Sequence, residues 1–149
     1  MYINPQNTVL ALRKIQRSMV PEGIRTDKAP APVGPYNQAT IATGRLLFVS
    51  GQIPLDPQTN EIVYPQDAAK QAEQVMANME AILQAAGANW QQVVKINIYL
   101  ADMNDFARVN QAYGRYFDAE NAPARACIQV AGLPKNSLVE MECIAALDP

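Results

Sequence analysis

Residues 125–146 read RACIQVAGLPKNSLVEMECIAA, two alternating apolar runs joined through Leu133-Pro134-Lys135-Asn136. In residues 125–131 one parity carries Ala126, Ile128 and Val130, the pattern of a core face; the other carries Arg125, Cys127 and Gln129. In residues 138–146 the apolar parity is Val139, Met141, Cys143 and Ala145, and the polar parity holds Glu140 and Glu142. Side chains alternate faces along a strand, and antiparallel neighbours keep core positions beside core positions. Read as a hairpin, the two runs put Arg125, Cys127, Glu140 and Glu142 on one sheet face. Cys143 falls on the opposite, helix-covered face, which argues against a Cys127–Cys143 disulfide.

Working outward, residues 93–100 alternate cleanly, with Val94, Ile96, Ile98 and Leu100 on one side and Lys95, Asn97 and Tyr99 on the other. They predict a strand flanked by two helices. The first spans residues 67–86: Asp67 caps its start, and Ala72, Val75, Met76, Met79, Ile82, Leu83 and Ala86 fall on one buried face. Gly87 ends it as the residue that tolerates a left-handed conformation. The second spans residues 105–118, capped by Asn104 and burying Phe106, Val109, Tyr113 and Phe117. Residues 26–36 hold three prolines and a glycine and predict an extended lead-in. Residues 38–42 and 46–53 are β-prone runs around Thr43-Gly44-Arg45, where the glycine suits a hairpin turn. Residues 54–66, with Pro54, Pro57 and Pro65, predict loop with a short edge strand over residues 61–64. The order is β-β-α-β-α-β-β. Two helices cannot cover both faces of such a sheet, so the fold class is α+β with both helices packed on one face. The other face must meet water or another subunit.

Bulk properties exclude whole classes of function. The net charge is −2 and the only basic cluster is Arg13, Lys14 and Arg17, whereas nucleic-acid binding calls for a basic footprint. No run approaches the ~18–20 apolar residues of a membrane span. Residues 1–25 lack the roughly 7–15-residue apolar core of a secretory signal. They carry Arg13, Lys14, Arg17 and Arg25 against Glu22 alone, a balance that suits a transit-like leader. They also suit a short amphipathic helix capped by Asn7 or Thr8 and burying Val9, Leu12 and Ile15. Two cysteines without CxxC spacing make a reducing, cytoplasmic compartment the default, with an organellar address in residues 1–25 left open. Histidine is absent. That removes Ser-His-Asp and Cys-His nucleophiles and nearly all catalytic zinc sites. Acid–base chemistry then falls to carboxylates, tyrosine, lysine, cysteine or water.

Taken singly, the polar residues of the last two strands have ordinary explanations. An arginine and a glutamate sharing a sheet face are often a solvated pair contributing under about 1 kcal/mol, and a lone Cys127 is usually packing. Together they carry more. Pro123-Ala124-Arg125-Ala126-Cys127-Ile128, Leu133-Pro134-Lys135 and Val139-Glu140-Met141-Glu142 resemble the signature of the Rid (YjgF-like) family of reactive-intermediate deaminases. Gly34-Pro35-Tyr36, Phe48-Val49-Ser50-Gly51-Gln52-Ile53-Pro54, Ala86-Gly87 and Asn104-Asp105-Phe106-Ala107-Arg108-Val109-Asn110 match in the same order.

The resemblance covers residues 26–147, so residues 1–25 stand as an N-terminal extension of unassigned role and residues 26–149 as the deaminase-type domain. It implies a chorismate-mutase-like α+β fold and a homotrimer with active sites between subunits. It implies hydrolysis of enamines and imines such as 2-aminoacrylate to 2-keto acids and ammonia, a 2-iminobutanoate/2-iminopropanoate deaminase-type activity needing neither cofactor nor metal. By motif, Arg125 would bind the substrate carboxylate and Glu140 would position or activate water. Tyr36, Ser50, Gly51, Asn110 and Cys127 would line the pocket. Geometry alone leaves Glu142 a rival to Glu140, and only the signature favours Glu140. Two other readings stand beside deamination: a 2-keto-acid-binding sensor or interaction protein on the same fold, and an RNA-cleaving protein, against which acidity and the missing histidine weigh.

Overall fold

The computed structural model describes residues 20–148. In chain order its elements are β1 (Glu22–Ile24), β2 (Ala39–Ile41), β3 (Arg45–Gln52), α1 (Ala68–Ala85), β4 (Val93–Leu100), α2 (Phe106–Tyr113), β5 (Ala124–Gln129) and β6 (Val139–Leu147). β6 has the strongest alternation and takes an interior place: the four-stranded sheet runs β3-β6-β4-β5. β6 is antiparallel to both β3 and β4, and β5 lies parallel to β4 at the edge. β1 and β2 form a separate antiparallel ribbon. The fold is the expected α+β arrangement, with one strand, β1, ahead of residue 26.

The helix α1 forms as its periodicity requires. Asp67 accepts from the Ala69 and Lys70 backbone N–H groups at 3.1 and 3.2 Å, satisfying donors that a helix start leaves open. Gly87 at φ +73° turns the chain away, a conformation costly for any residue with a Cβ. Its buried stripe of Val75, Met76, Met79 and Leu83 meets Ile96, Ile98 and Leu100 of β4 and Val139 and Met141 of β6. Val109 and Tyr113 of α2 complete this solvent-free core.

Several expectations need correction. β5 and β6 do not pair, because β4 lies between them. β4, α2 and β5 instead form a crossover unit of the kind that parallel strands require. The register Ile96↔Arg125 and Ile98↔Cys127 turns Arg125 and Cys127 to the helix face. Ala126 and Ile128 face outward, Ile128 at 48% exposure. Glu140 and Glu142 keep the open face, opposite Tyr99 and Asn97. Both cysteines therefore share the helix face, and both are free. With β4 between them they stand roughly 10 Å apart by strand spacing, beyond the ~7 Å a disulfide spans. The conclusion survives; the reason changes.

The turn at Thr43-Gly44-Arg45 closes no hairpin, since β2 pairs with β1 and β3 with β6. The second helix ends at Tyr113 and continues only as a 3-10 turn, Gly114–Tyr116. Asn104 is not its cap: Asp102 accepts from the Asn104 N–H and starts a 3-10 turn that leads into α2. A bulge in β4 leaves Val93 in the core and Val94 half-buried. Residues 61–64 contribute one isolated bridge, Leu55↔Ile62. The helix expected from Asn7 to Ile15 lies outside the described residues.

One sheet face remains uncovered in the single chain. It presents Leu46, Phe48 and Ser50 of β3, Glu140, Glu142 and Ile144 of β6, Lys95, Asn97 and Tyr99 of β4, and Ile128 of β5. Leu46 is 57% and Phe48 67% exposed, so large apolar side chains face outward here.

Candidate active site

Arg125 projects from the edge strand β5 toward α2. Its Nη1 donates to Asn110 Oδ1 at 2.5 Å. Three aromatic rings surround the guanidinium: Tyr36 at 4.9 Å, Tyr113 at 5.0 Å and Phe106 at 5.8 Å from ring centroid to Cζ. Each is within cation–π range. The helical spacing of Phe106, Asn110 and Tyr113 places all three on one side of α2. Tyr36 comes from the proline-rich lead-in, where its hydroxyl accepts from the Val33 N–H at 3.2 Å. Gly34 packs close to the site: a Cβ there would lie 2.9 Å from Arg125 Nη2 and 3.3 Å from Asn110 Oδ1, so a larger residue would push on the guanidinium. Among the described residues no carboxylate pairs with Arg125. A half-buried cation is ordinarily paired, so the cage presents a fixed, unneutralised positive charge.

Cys127 lies two residues along the same face and is half-buried. Burial pushes its thiol pKa up, and the Arg125 charge only partly opposes this. Tyr113 is held neutral, its hydroxyl pKa raised chiefly by burial. Phe106 and Tyr113 are site residues that the sequence reading assigned only to the core. Their spacing from Asn110 on one helix was the available signal, but an apolar stripe reads the same whether it covers a core or an arginine.

The other expected residues gather elsewhere. Gly51 and Ser50 sit in β3 where its pairing with β6 slips between Val49 and Gln52. A Cβ on Gly51 would overlap the Glu140 carboxylate, so glycine lets that carboxylate lie against the β3 backbone. Glu140 has no hydrogen-bond partner among the described residues. Glu142 differs: Tyr99 Oη donates to its Oε1 at 2.6 Å and Asn97 Nδ2 at 3.1 Å. Those bonds hold the Glu142 carboxyl below its usual range. Ser50 lines a concavity of about 300 Å³ on the open face with Phe48, Lys95, Asn97, Glu142 and Ile144.

The structure thus sorts the candidates into two groups. Tyr36, Asn110, Arg125 and Cys127 gather on the helix face at the β5 edge; Gly51 and Glu140 meet on the open face toward the β3 edge, where Ser50 lines the concavity beside Glu142. Two strand spacings, roughly 10 Å, and the thickness of the sheet separate Arg125 from Glu140 within one chain.

Residues 26–147 match the family model described as Endoribonuclease L-PSP. A RutC family protein of Synechocystis is 56% identical over 124 residues, covering 83% of this chain and 95% of that protein. The mouse 2-iminobutanoate/2-iminopropanoate deaminase is 46% identical over 132 residues, covering 89% and 96%. Among solved structures, E. coli TdcF with bound serine superposes with a TM-score of 0.63 at 42% identity, covering 84% of this chain and 98% of that one. With a family model matched over residues 26–147, and these relatives matched over nearly their full length, the chain belongs to the endoribonuclease L-PSP family, that of the Rid (YjgF-like) proteins.

Proposed function

We propose that this chain hydrolyses enamine and imine intermediates such as 2-aminoacrylate to 2-keto acids and ammonia. The observation that carries the reading is the uncompensated guanidinium of Arg125, clamped by Asn110 and three aromatic rings. A planar, permanently charged fork suits a carboxylate, which it grips through two parallel hydrogen bonds. The 46%-identical mouse deaminase supports the same substrate class, as does an amino acid bound to TdcF.

The chemistry asks little more of the protein. An enamine tautomerises to its imine, whose carbon becomes electrophilic once the nitrogen is protonated. Water attacks that carbon while Glu140 accepts the proton. The proton returns to the nitrogen; as the C–N bond breaks, the hydroxyl gives its own proton to the freed Glu140 carboxylate, and ammonia leaves a carbonyl behind, the last proton passing to ammonia or water. Such proton transfer contributes about 10²–10⁴-fold. Glu140 suits the role better than Glu142, whose Oε1 already accepts from both Tyr99 and Asn97 and whose carboxyl is the weaker base for it.

The separation of the two residue groups supports a site completed between subunits. In this reading Arg125 of one subunit faces Glu140, Ser50 and Gly51 of the next, three copies close the ring, and the exposed apolar face is covered. A net charge of −2 and the absence of histidine favour a small anionic substrate over RNA.

The test is ammonia release from freshly generated 2-aminoacrylate, with Arg125→Ala and Arg125→Lys as controls, beside titration with 2-oxobutanoate. Both variants should lose ~100-fold or more in kcat/KM, since lysine cannot reproduce the fork. Near-wild-type turnover in both would place the carboxylate elsewhere. Tight 2-oxobutanoate binding without turnover by the wild type would make the protein a keto-acid sensor.

A further inference from the structure

Strand β1 lies ahead of the family-matched residues, yet it is wired to the Arg125 cage. Arg25 follows β1 directly. Its Nε donates to Asn37 Oδ1 and its Nη2 to the Ala119 carbonyl, both at 2.8 Å. Asn37 is only 3% exposed, uncommon for asparagine and tolerable only with its amide satisfied. Its Nδ2 donates to the Ala122 carbonyl at 2.7 Å, and its backbone N–H donates to the Pro123 carbonyl at 3.1 Å. The result is an isolated parallel bridge between Asn37 and Ala124. Gly23 of β1 passes so close to the amide that a Cβ there would overlap it.

The neighbours of these two bridged residues give the arrangement its meaning. Asn37 follows Tyr36, and Ala124 precedes Arg125. The bonds from Asn37 to residues 122–124 therefore set the register between the segment carrying the Tyr36 ring and the strand carrying the guanidinium beneath it. Gly34, two residues before Tyr36, is packed against the guanidinium and depends on the same register. Arg25 donates to the Oδ1 of the same amide whose Nδ2 donates to Ala122, so the residue after β1 is tied to that register through Asn37.

We propose that Arg25 and Asn37 are positioning residues for the carboxylate site, so that a segment outside the family-matched region tunes substrate affinity. The kinetic part of this proposal rests on the deaminase reading. Arg25→Ala, Arg25→Lys and Asn37→Ala are the variants, assayed well below their unfolding midpoints. Arg25 is exposed, so its variants keep the fold even if Asn37→Ala does not. Loosening the cage weakens the grip on substrate and transition state alike, which raises KM and spares kcat. KM and the Kd for 2-oxobutanoate should both rise about tenfold in Arg25→Ala, short of the ~100-fold that a 1 Å misplacement can cost. Arg25→Lys should resemble Arg25→Ala, because one ammonium cannot bridge two separated acceptors in a fixed plane. A purely structural role would lower the active fraction, reducing apparent kcat and leaving KM unchanged. That result, or an unchanged KM and Kd in Arg25→Ala, would overturn the proposal. If wild type neither turns over 2-aminoacrylate nor binds 2-oxobutanoate, the deaminase reading fails and the proposal is judged by spectroscopy. The Arg125 Nε–H resonance, recognised by its loss in Arg125→Lys, should be shifted by the three rings. It should move toward its free position in Arg25→Ala; an unmoved resonance overturns the proposal.

Discussion

Cys127 stands two residues from Arg125, and an electropositive neighbour would ordinarily favour a reactive thiolate. Here burial wins and the thiol pKa is raised. The thiolate fraction at neutral pH is then smaller than for a free cysteine. Alkylation of Cys127 should be slow at pH 7 and accelerate only above the ordinary thiol range near ~8.5. Cys127→Ser should keep most of the turnover; a substrate adduct on this sulfur in mass spectra would refute the assignment. The two glutamates should separate as cleanly. Glu140→Gln keeps the shape but removes the proton acceptor, so kcat should fall about 10²-fold or more. Glu142→Gln should leave kcat nearly unchanged and act on stability. Its carboxyl pKa is lowered in the fold by Tyr99 and Asn97. The stabilisation this gives is present above the unfolded value of about 4.3 and is lost as pH falls through the lower folded value. Urea midpoints of wild type and Glu142→Gln should therefore differ at pH 7 and converge in acid. Equal kcat losses at both glutamates would mean that the water-activating group is misassigned.

At the scale of elements, β5 carries the main lesson. Its two parities, Ala126-Ile128 and Arg125-Cys127-Gln129, suggest that the apolar set faces the core. The fold does the reverse, because α2 offers β5 an aromatic surface rather than an aliphatic one. A guanidinium is weakly hydrated and stacks on rings, so Arg125 fits under Phe106 and Tyr113 where a lysine would not. β3 adds a second case. Its slipped pairing at Ser50 and Gly51 lets the Glu140 carboxylate lie on bare backbone. Gly51→Ala should displace that carboxylate while leaving the Arg125 cage untouched. Turnover should drop and 2-oxobutanoate affinity should stay near wild type; a parallel loss of both would show that Gly51 acts on binding instead.

At the scale of the whole molecule, the proposed reading joins the two groups of site residues across a boundary between subunits. Light scattering in dilute buffer should report a mass near three times 16.3 kDa. A sharper measurement mixes two inactive proteins, Arg125→Lys and Glu140→Gln, under conditions that let subunits exchange. Random reassortment joins an intact Arg125 to an intact Glu140 at half times half of the boundaries, so about a quarter of wild-type turnover should return. No recovery despite proven exchange would place both residues in one subunit's site.

The chain's periodicity alone determined the two helices and the five strands β2 to β6, the cap at Asp67, the stop at Gly87, and the single face on which both helices pack; β1 it did not show. These are local properties: a 3.6-residue or two-residue rhythm, or a glycine at positive φ, needs no distant partner to be read. The motifs carrying Tyr36, Ser50, Asn110, Arg125 and Glu140 were legible only through their resemblance to the Rid (YjgF-like) family. Strand neighbours were not. Parity says which residues share a face, but which face meets the helices depends on the strand alongside, and only the crossover through α2 set β5 beside β4. Nor could spacing reveal that Arg25 reaches across to Ala119, or that Phe106 and Tyr113 cover a cation. Those contacts join residues far apart in sequence, or differ only in what an apolar ring happens to face, and packing in three dimensions decided both.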